Sequence, residues 1–144
     1  MGMNESIRTL DLSDNGFGNP MSSLIIKLLQ QQTECKDNKI WSAGLRGEYP
    51  QNIDLIGLKS IILRKNGLTD VFLRGLGSWM QYDEYMRHID IRDNKFEEAG
   101  LKGLFESVRG NKSLVSIEIR GNPGFKPKLH QLFALELLNK YNLI

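Results

Sequence analysis

Apolar residues recur in four stretches of the chain at the same offsets from one another. Between Met86 and Phe96 they stand at Met86, Ile89, Ile91 and Phe96, with Asn94 between the last two. Ile7, Leu10, Leu12, Asn15 and Phe17 repeat the arrangement, and so do Leu58, Ile61, Leu63, Asn66 and Leu68. Leu114, Ile117, Ile119 and Asn122 give it a fourth time, with Phe125 one residue late. Alternation of apolar and other residues predicts a short half-buried strand in each stretch. Leu58, Met86 and Leu114 follow one another at intervals of 28 residues, whereas Ile7 precedes Leu58 by 51, one period and 23 extra residues.

That pattern at that period is the signature of leucine-rich repeats. Each strand should lead through its Asn into a helix, because parallel neighbours need a crossover. Ile25, Leu76 and Leu104 share one offset from their Asn, and Leu29, Met80 and Val108 share another four residues on. This i, i+4 stripe would face the sheet. Asn19-Pro20 reads as the cap and first turn of a helix running to about Gln32. Gly100 reads as a small residue that lets helix and strand approach. The expected fold is an α/β solenoid of the ribonuclease-inhibitor type, a right-handed β-α superhelix bent into a horseshoe with the sheet inside. Asn15, Asn66, Asn94 and Asn122 should form a structural asparagine ladder, because a buried amide persists only when bonded. Residues 1–5 read as a disordered start, and 6–144 as the repeat domain, with repeats starting near 7, 58, 86 and 114. An insertion is expected at about 35–57 and a C-terminal cap helix at about 127–142, where Leu129, Leu132, Phe133, Leu137 and Leu138 spread over a wide face. No such cap precedes Ile7, which suggests a longer repeat array.

Residues between the core positions of each strand should line the concave surface. Stacked, they give a column of Thr9, Ser60, His88 and Ser116, a second of Asp11, Ile62, Asp90 and Glu118, and a third of Ser13, Arg64, Arg92 and Arg120. Concave solenoid faces commonly bind partners. Arg64, Arg92 and Arg120 have the planar forks that grip carboxylates in pairs. Ile62, Asp90, Glu118 and His88 complete this candidate surface, which suits a partner segment carrying both charges. Pairing of Arg92 with Asp90 or Glu118 on a merely solvated face is the plainer alternative. The insertion is too apolar for a solvated linker, holding Trp41, Leu45, Tyr49, Pro50, Ile53 and Leu55. Trp41, Arg46 and Tyr49 are its candidate binding residues, unless Trp41 simply covers core between the first two repeats.

Composition narrows the chemistry. At 144 residues and 40% hydrophobic content the chain suits one core. A net charge of +2 implies no nucleic-acid surface, and an acidic column beside the arginines would repel phosphate. The lone Cys35 rules out an internal disulfide and fits a reducing compartment. No apolar run reaches the length of a membrane span. Neither a phosphate loop, a Gly-x-Ser-x-Gly elbow nor a His-Glu-x-x-His site is present. No enzyme, metal or cofactor is expected. A monomer is expected in isolation, with the open first edge as the route to dimers.

Trp41, Leu45-Arg46, Pro50 and Gly57-Leu58 in succession, with Asn111 before Ser113-Leu114-Val115 and then Ile119-Arg120 and Asn122-Pro123, carry a more specific likeness. From about Trp41 to Asn139 the chain resembles the family of the centrosomal protein of seventy-eight kilodaltons, departing from it where Met86, Ile117 and Ile119 replace leucine. The resemblance implies a non-enzymatic scaffold at the centrosome, centriole and ciliary basal body, linked to cilium biogenesis. It implies centriolar proteins and a ubiquitin-ligase substrate receptor as partners. The alternative is a purely structural repeat segment whose binding sites lie outside this chain.

Overall fold

The structure, a computed structural model, describes residues 7–16, 18–49 and 57–140. Within them β1 (Thr9–Asp11) leads through a 3-10 turn (Asn19–Met21) to α1 (Ser22–Gly44). There follow β2 (Ser60–Ile62), α2 (Asp70–Met80), β3 (His88–Asp90), α3 (Glu98–Gly110), β4 (Ser116–Glu118) and α4 (Pro127–Lys140). The strands pair in parallel in sequence order, with Leu10, Ile61, Ile89 and Ile117 in one register row. α1, α2 and α3 are the crossovers that parallel pairing demands, and α4 follows the last strand.

The core lies between sheet and helices. Ile61, Leu63, Ile89, Ile91 and Ile119 are sealed from one side, and the stripe Ile25, Leu29, Leu76, Met80, Leu104 and Val108 from the other. Fully burying one such side chain contributes about 1.5–3 kcal/mol. Phe72 and Phe96 stack between the second and third units with centroids 6.3 Å apart. In the last helix Leu129, Phe133 and Leu137 face inward, whereas Leu132, Leu135 and Leu138 are exposed. The wide apolar face expected of α4 is therefore split, and half of it meets solvent.

Every turn after a strand takes the same left-handed step. Asp14, Lys65, Asp93 and Gly121, each just before its Asn, have φ of 63°, 56°, 57° and 77°. Only one of the four is the glycine that makes such a φ costless.

Three expectations change. The first helix does not end near Gln32 but runs on to Gly44, so the front of the supposed irregular insertion is helical. Asn19 opens the 3-10 turn and does not cap α1, whose preceding residue is Met21. Gly100 is small for a different reason from the helix–strand approach expected: a Cβ there would strike the carboxylate of Asp70 on α2. Asp70 needs that space because its Oδ1 accepts the Glu97 N–H at 2.9 Å, at the mouth of α3. A carboxylate there also complements the helix dipole. Phe17, Pro50, Ile53, Leu55, residues 1–5 and the end of the cap at 141–142 lie outside the described residues.

Candidate functional site

Behind the concave face the four asparagines hand hydrogen bonds from unit to unit. Asn15 N–H donates to Asn66 Oδ1 at 2.9 Å, Asn66 N–H to Asn94 Oδ1 at 3.0 Å, and Asn94 N–H to Asn122 Oδ1 at 2.9 Å. Each amide nitrogen donates in turn to strand-end carbonyls, Asn94 Nδ2 reaching Leu63 and Ile91 and Asn122 Nδ2 reaching Ile91 and Ile119. Asn66, Asn94 and Asn122 are buried, and Asn15 is exposed. These bonds fix where the third column of the face begins.

On the face itself the register row Ser60, His88, Ser116 is joined by a 2.8 Å bond between His88 Nδ1 and Ser116 Oγ. The next row sets Asp11, Ile62, Asp90 and Glu118 side by side. Arg64, Arg92 and Arg120 follow two residues on, and each has an acid. Arg92 Nε and Nη2 grip both oxygens of Asp90 at 3.0 and 2.8 Å. Arg64 Nη2 stands 3.5 Å from Asp93 of the following unit. Arg120 Nε is 3.6 Å from Glu118, and its side chain is the most open of the three at 62% exposure. The geometry thus realises the pairing of Arg92 with Asp90 that the sequence offered as the plainer alternative. The arginines line up, but as members of ion pairs. The long, exposed pairs of Arg64 and Arg120 contribute about 0–1 kcal/mol each, so a partner's carboxylates exchange for them at little cost, whereas the bidentate, part-buried Arg92–Asp90 pair is held more firmly.

The far end of α1 is the second candidate region. Trp41, Leu45 and Tyr49 are 67%, 70% and 64% exposed, so Trp41 covers no core between the first two units. Arg46 is also exposed and pairs loosely with Glu48 at 3.6 Å. No side chain joins this tip to the concave arginines among the bonds of the described residues; the two regions are separate.

What the sequence pattern did not reveal is how α1 is carried past Gln32. Thr33 Oγ1 donates to Asp83 Oδ1 at 2.6 Å and accepts from the buried Trp79 Nε1 at 2.9 Å. Lys36, 1% exposed, reaches the Leu58 carbonyl at 3.4 Å and lies 4.9 Å from the Tyr85 ring centroid. The Tyr85 hydroxyl donates to Asp37. Burial first, and then that bond, raise the Tyr85 phenol above its ordinary pKa. Asp83 also caps the turn into β3, its Oδ2 accepting from the N–H groups of Tyr85 and Met86. Asn111 does the same for Ser113 and Leu114 one period later. The 28-residue spacing of Asp83 and Asn111 was the available signal.

A Leucine Rich repeat family matches residues 4–20. With four parallel strands, three crossover helices and an asparagine ladder on the page, that match completes the assignment. The chain is a leucine-rich repeat solenoid. It is similar to the centrosomal protein of 78 kDa of Mus musculus, 30% identical over 98 residues that make up 67% of this chain and 12% of that protein. The Homo sapiens protein of the same name is 30% identical over 98 residues, 14% of its length. The chain therefore spans a small part of these relatives. The tropomodulin C-terminal domain of Caenorhabditis elegans superposes with a TM-score of 0.45 at 10% identity, over 96% of this chain and 86% of that one. No helix of the described residues is long and apolar enough to cross a membrane.

Proposed function

We propose that this solenoid is a non-enzymatic protein-binding scaffold that works at the centrosome. The observation that carries the binding role is the concave face, where Arg64 and Arg120 sit in long, solvent-facing ion pairs with Asp93 and Glu118 on either side of the closer Arg92–Asp90 pair. A partner segment with alternating charges can replace those pairs one for one, with its carboxylates on Arg64, Arg92 and Arg120 and its cations on Asp90 and Glu118. Ile62 and His88 offer a less charged strip beside them. The similarity to centrosomal proteins of 78 kDa supports the location. The finer reading extends it to the centriole and ciliary basal body, to cilium biogenesis and to ubiquitin-ligase regulation through a substrate receptor.

The exposed tip of α1 supports a second contact. Trp41, Leu45 and Tyr49 present aromatic and aliphatic surface of the kind that anchors interfaces, with Arg46 beside it.

Localisation of the tagged protein in dividing, ciliated cells tests the placement; a diffuse signal would remove it. Affinity capture from the same cells tests the face. Replacing Arg64, Arg92 and Arg120 together by Ser should abolish capture of the centrosomal partner and leave the fold intact, and unchanged capture would exclude the concave face.

A further inference from the structure

On the concave face the two long ion pairs are also the incompletely bonded ones. Arg64 reaches Asp93 only at 3.5 Å, and Arg120 reaches Glu118 only at 3.6 Å. Arg64 Nε and Glu118 Oε2 are shielded from solvent, yet neither has a hydrogen-bond partner. A shielded polar atom without a bond is costly, so both side chains gain by turning toward a better mate. Between them Asp90 takes both Nε and Nη2 of Arg92, and that pair is closed. The face therefore offers two exchangeable arginines with a self-satisfied pair between them.

Spacing decides what kind of segment fits. Ile62, Asp90 and Glu118 share a register row, and each arginine follows its row member by two residues. Adjacent strands lie about 4.8 Å apart, so Arg64 and Arg120, two strands apart, stand about 9.6 Å from each other. Whatever precedes β1 or follows α4, the pairing of β2, β3 and β4 sets this spacing. On an α-helix, residues i and i+7 lie on one side about 10.5 Å apart. On an extended segment, residues of one side recur at about 6.7 Å and then about 13.4 Å. The helix misses by about 1 Å, which an arginine absorbs by leaning; the extended segment misses by about 3–4 Å. The intervening turn of such a helix, at i+3 and i+4, comes over the closed Arg92–Asp90 pair, where a charge adds least.

The row of Ile62 and Glu118 lies two residues back along each strand, about 6.7 Å from the arginines. Neighbouring stripes of a helix are about 5–6 Å apart, so a second stripe falls over that row. An apolar residue there meets Ile62, and a cation meets Glu118.

Resting on the concave face as the binding surface, we infer that the partner segment is an α-helix laid across β2, β3 and β4. Its acidic residues at i and i+7 sit on Arg64 and Arg120, and its flanking stripe carries an apolar residue and a cation. The closed pair beneath its middle turn keeps the two contacts apart at helical spacing.

Fluorescence anisotropy with synthetic peptides and the 144-residue protein tests it. The first peptide is an alanine-rich helix of about 18 residues, with glutamates at i and i+7 and a leucine and a lysine in the stripe beside them. The second has the same composition with the glutamates at i and i+5, on opposite sides. The third keeps the i, i+7 glutamates and carries two central prolines, which break the helix. The first should bind at least about tenfold more tightly than the other two. Arg64→Ser with Arg120→Ser should remove that preference. Circular dichroism checks the helicity of each peptide and the fold of the variant. Equal binding of the second or third peptide, a preference that survives the double substitution, or no binding of the first would overturn the helix. Any of these, with arginine-dependent capture from cells intact, retains the concave face and rejects the helix alone. Unchanged capture by the variant with all three arginines replaced rejects both.

Discussion

The first and third units of the solenoid share one sequence pattern and use it differently. In the third, Met86, Ile89, Ile91 and Phe96 are all sealed, Asn94 is buried, and the helix stops after 13 residues. In the first, Ile7, Leu10 and Leu12 are partly open, Asn15 is exposed, and the helix runs for 23 residues. The residues are no less apolar; what differs is the number of neighbours. A middle unit is completed from both sides, and an outer one from one side only, as expected when stability is a sum of unit and junction terms. The first unit makes up part of the deficit elsewhere. Its long helix reaches over to Trp79, Asp83 and Tyr85 of the second unit, adding polar bonds to the apolar contacts of that junction.

Substitutions can set these two kinds of anchorage against each other. Asn94→Ala should have the largest effect. It orphans the buried N–H groups of Asn66 and Leu68, each costing about 1–3 kcal/mol. A total loss of about 3–5 kcal/mol is expected in chemical denaturation. Trp79→Phe keeps an aromatic ring but loses part of the buried indole volume and deletes the bonds to Leu29 and Thr33, so a loss of about 2–4 kcal/mol should appear. It should be accompanied by faster amide exchange in α1 beyond Gln32. Raising the pH through the phenol range should weaken the same anchorage. The unfolded Tyr85 ionises near its ordinary value of 10.0 while the folded one holds its proton, so stability present below that pH is lost as pH rises above it. Tyr85→Phe should flatten that alkaline decline. Asn15→Ala should cost under about 1 kcal/mol, because it keeps the backbone bond to Asn66 and water replaces the side-chain bonds to Leu12 and Ser13 at an exposed site. A loss equal to that of Asn94→Ala would erase the distinction between outer and middle units. Trp41→Ala should leave stability within about 0.5 kcal/mol while removing any partner that the α1 tip holds.

Much of the fold could be read in advance because a 28-residue period repeats each error-prone local guess. The strands, their parallel order, the inward stripe of Ile25 to Val108 and the ladder all follow from offsets shared among units. The extension of α1 could not be read that way. Its buried members are Thr33, Lys36 and Ala43, which form no apolar stripe, and their partners Asp83, Tyr85 and Leu58 lie far off in sequence. The left-handed steps were hidden for a related reason. Three of four fall on Asp or Lys, and only at Gly121 does the residue type reveal the backbone. On the candidate face, the columns were legible but the pairing was not. Spacing placed Arg92 near Asp90 and Glu118 alike, and only the side-chain geometry chose Asp90.

The asparagine ladder has a direction, and with it a mechanical polarity. Every Oδ1 serves the unit before its own, so peeling the chain from its C-terminal end strips acceptors from each unit that remains. Asn122 goes, and the Asn94 and Phe96 N–H groups lose their acceptor. Peeling from the other end removes only one of the carbonyls that Asn94 Nδ2 shares, since Ile91 and Arg92 of its own unit still accept from it. Under force the ladder should therefore make the first step from the α4 end take more work than the first step from the β1 end, because it leaves buried donors without acceptors in the units that stay folded.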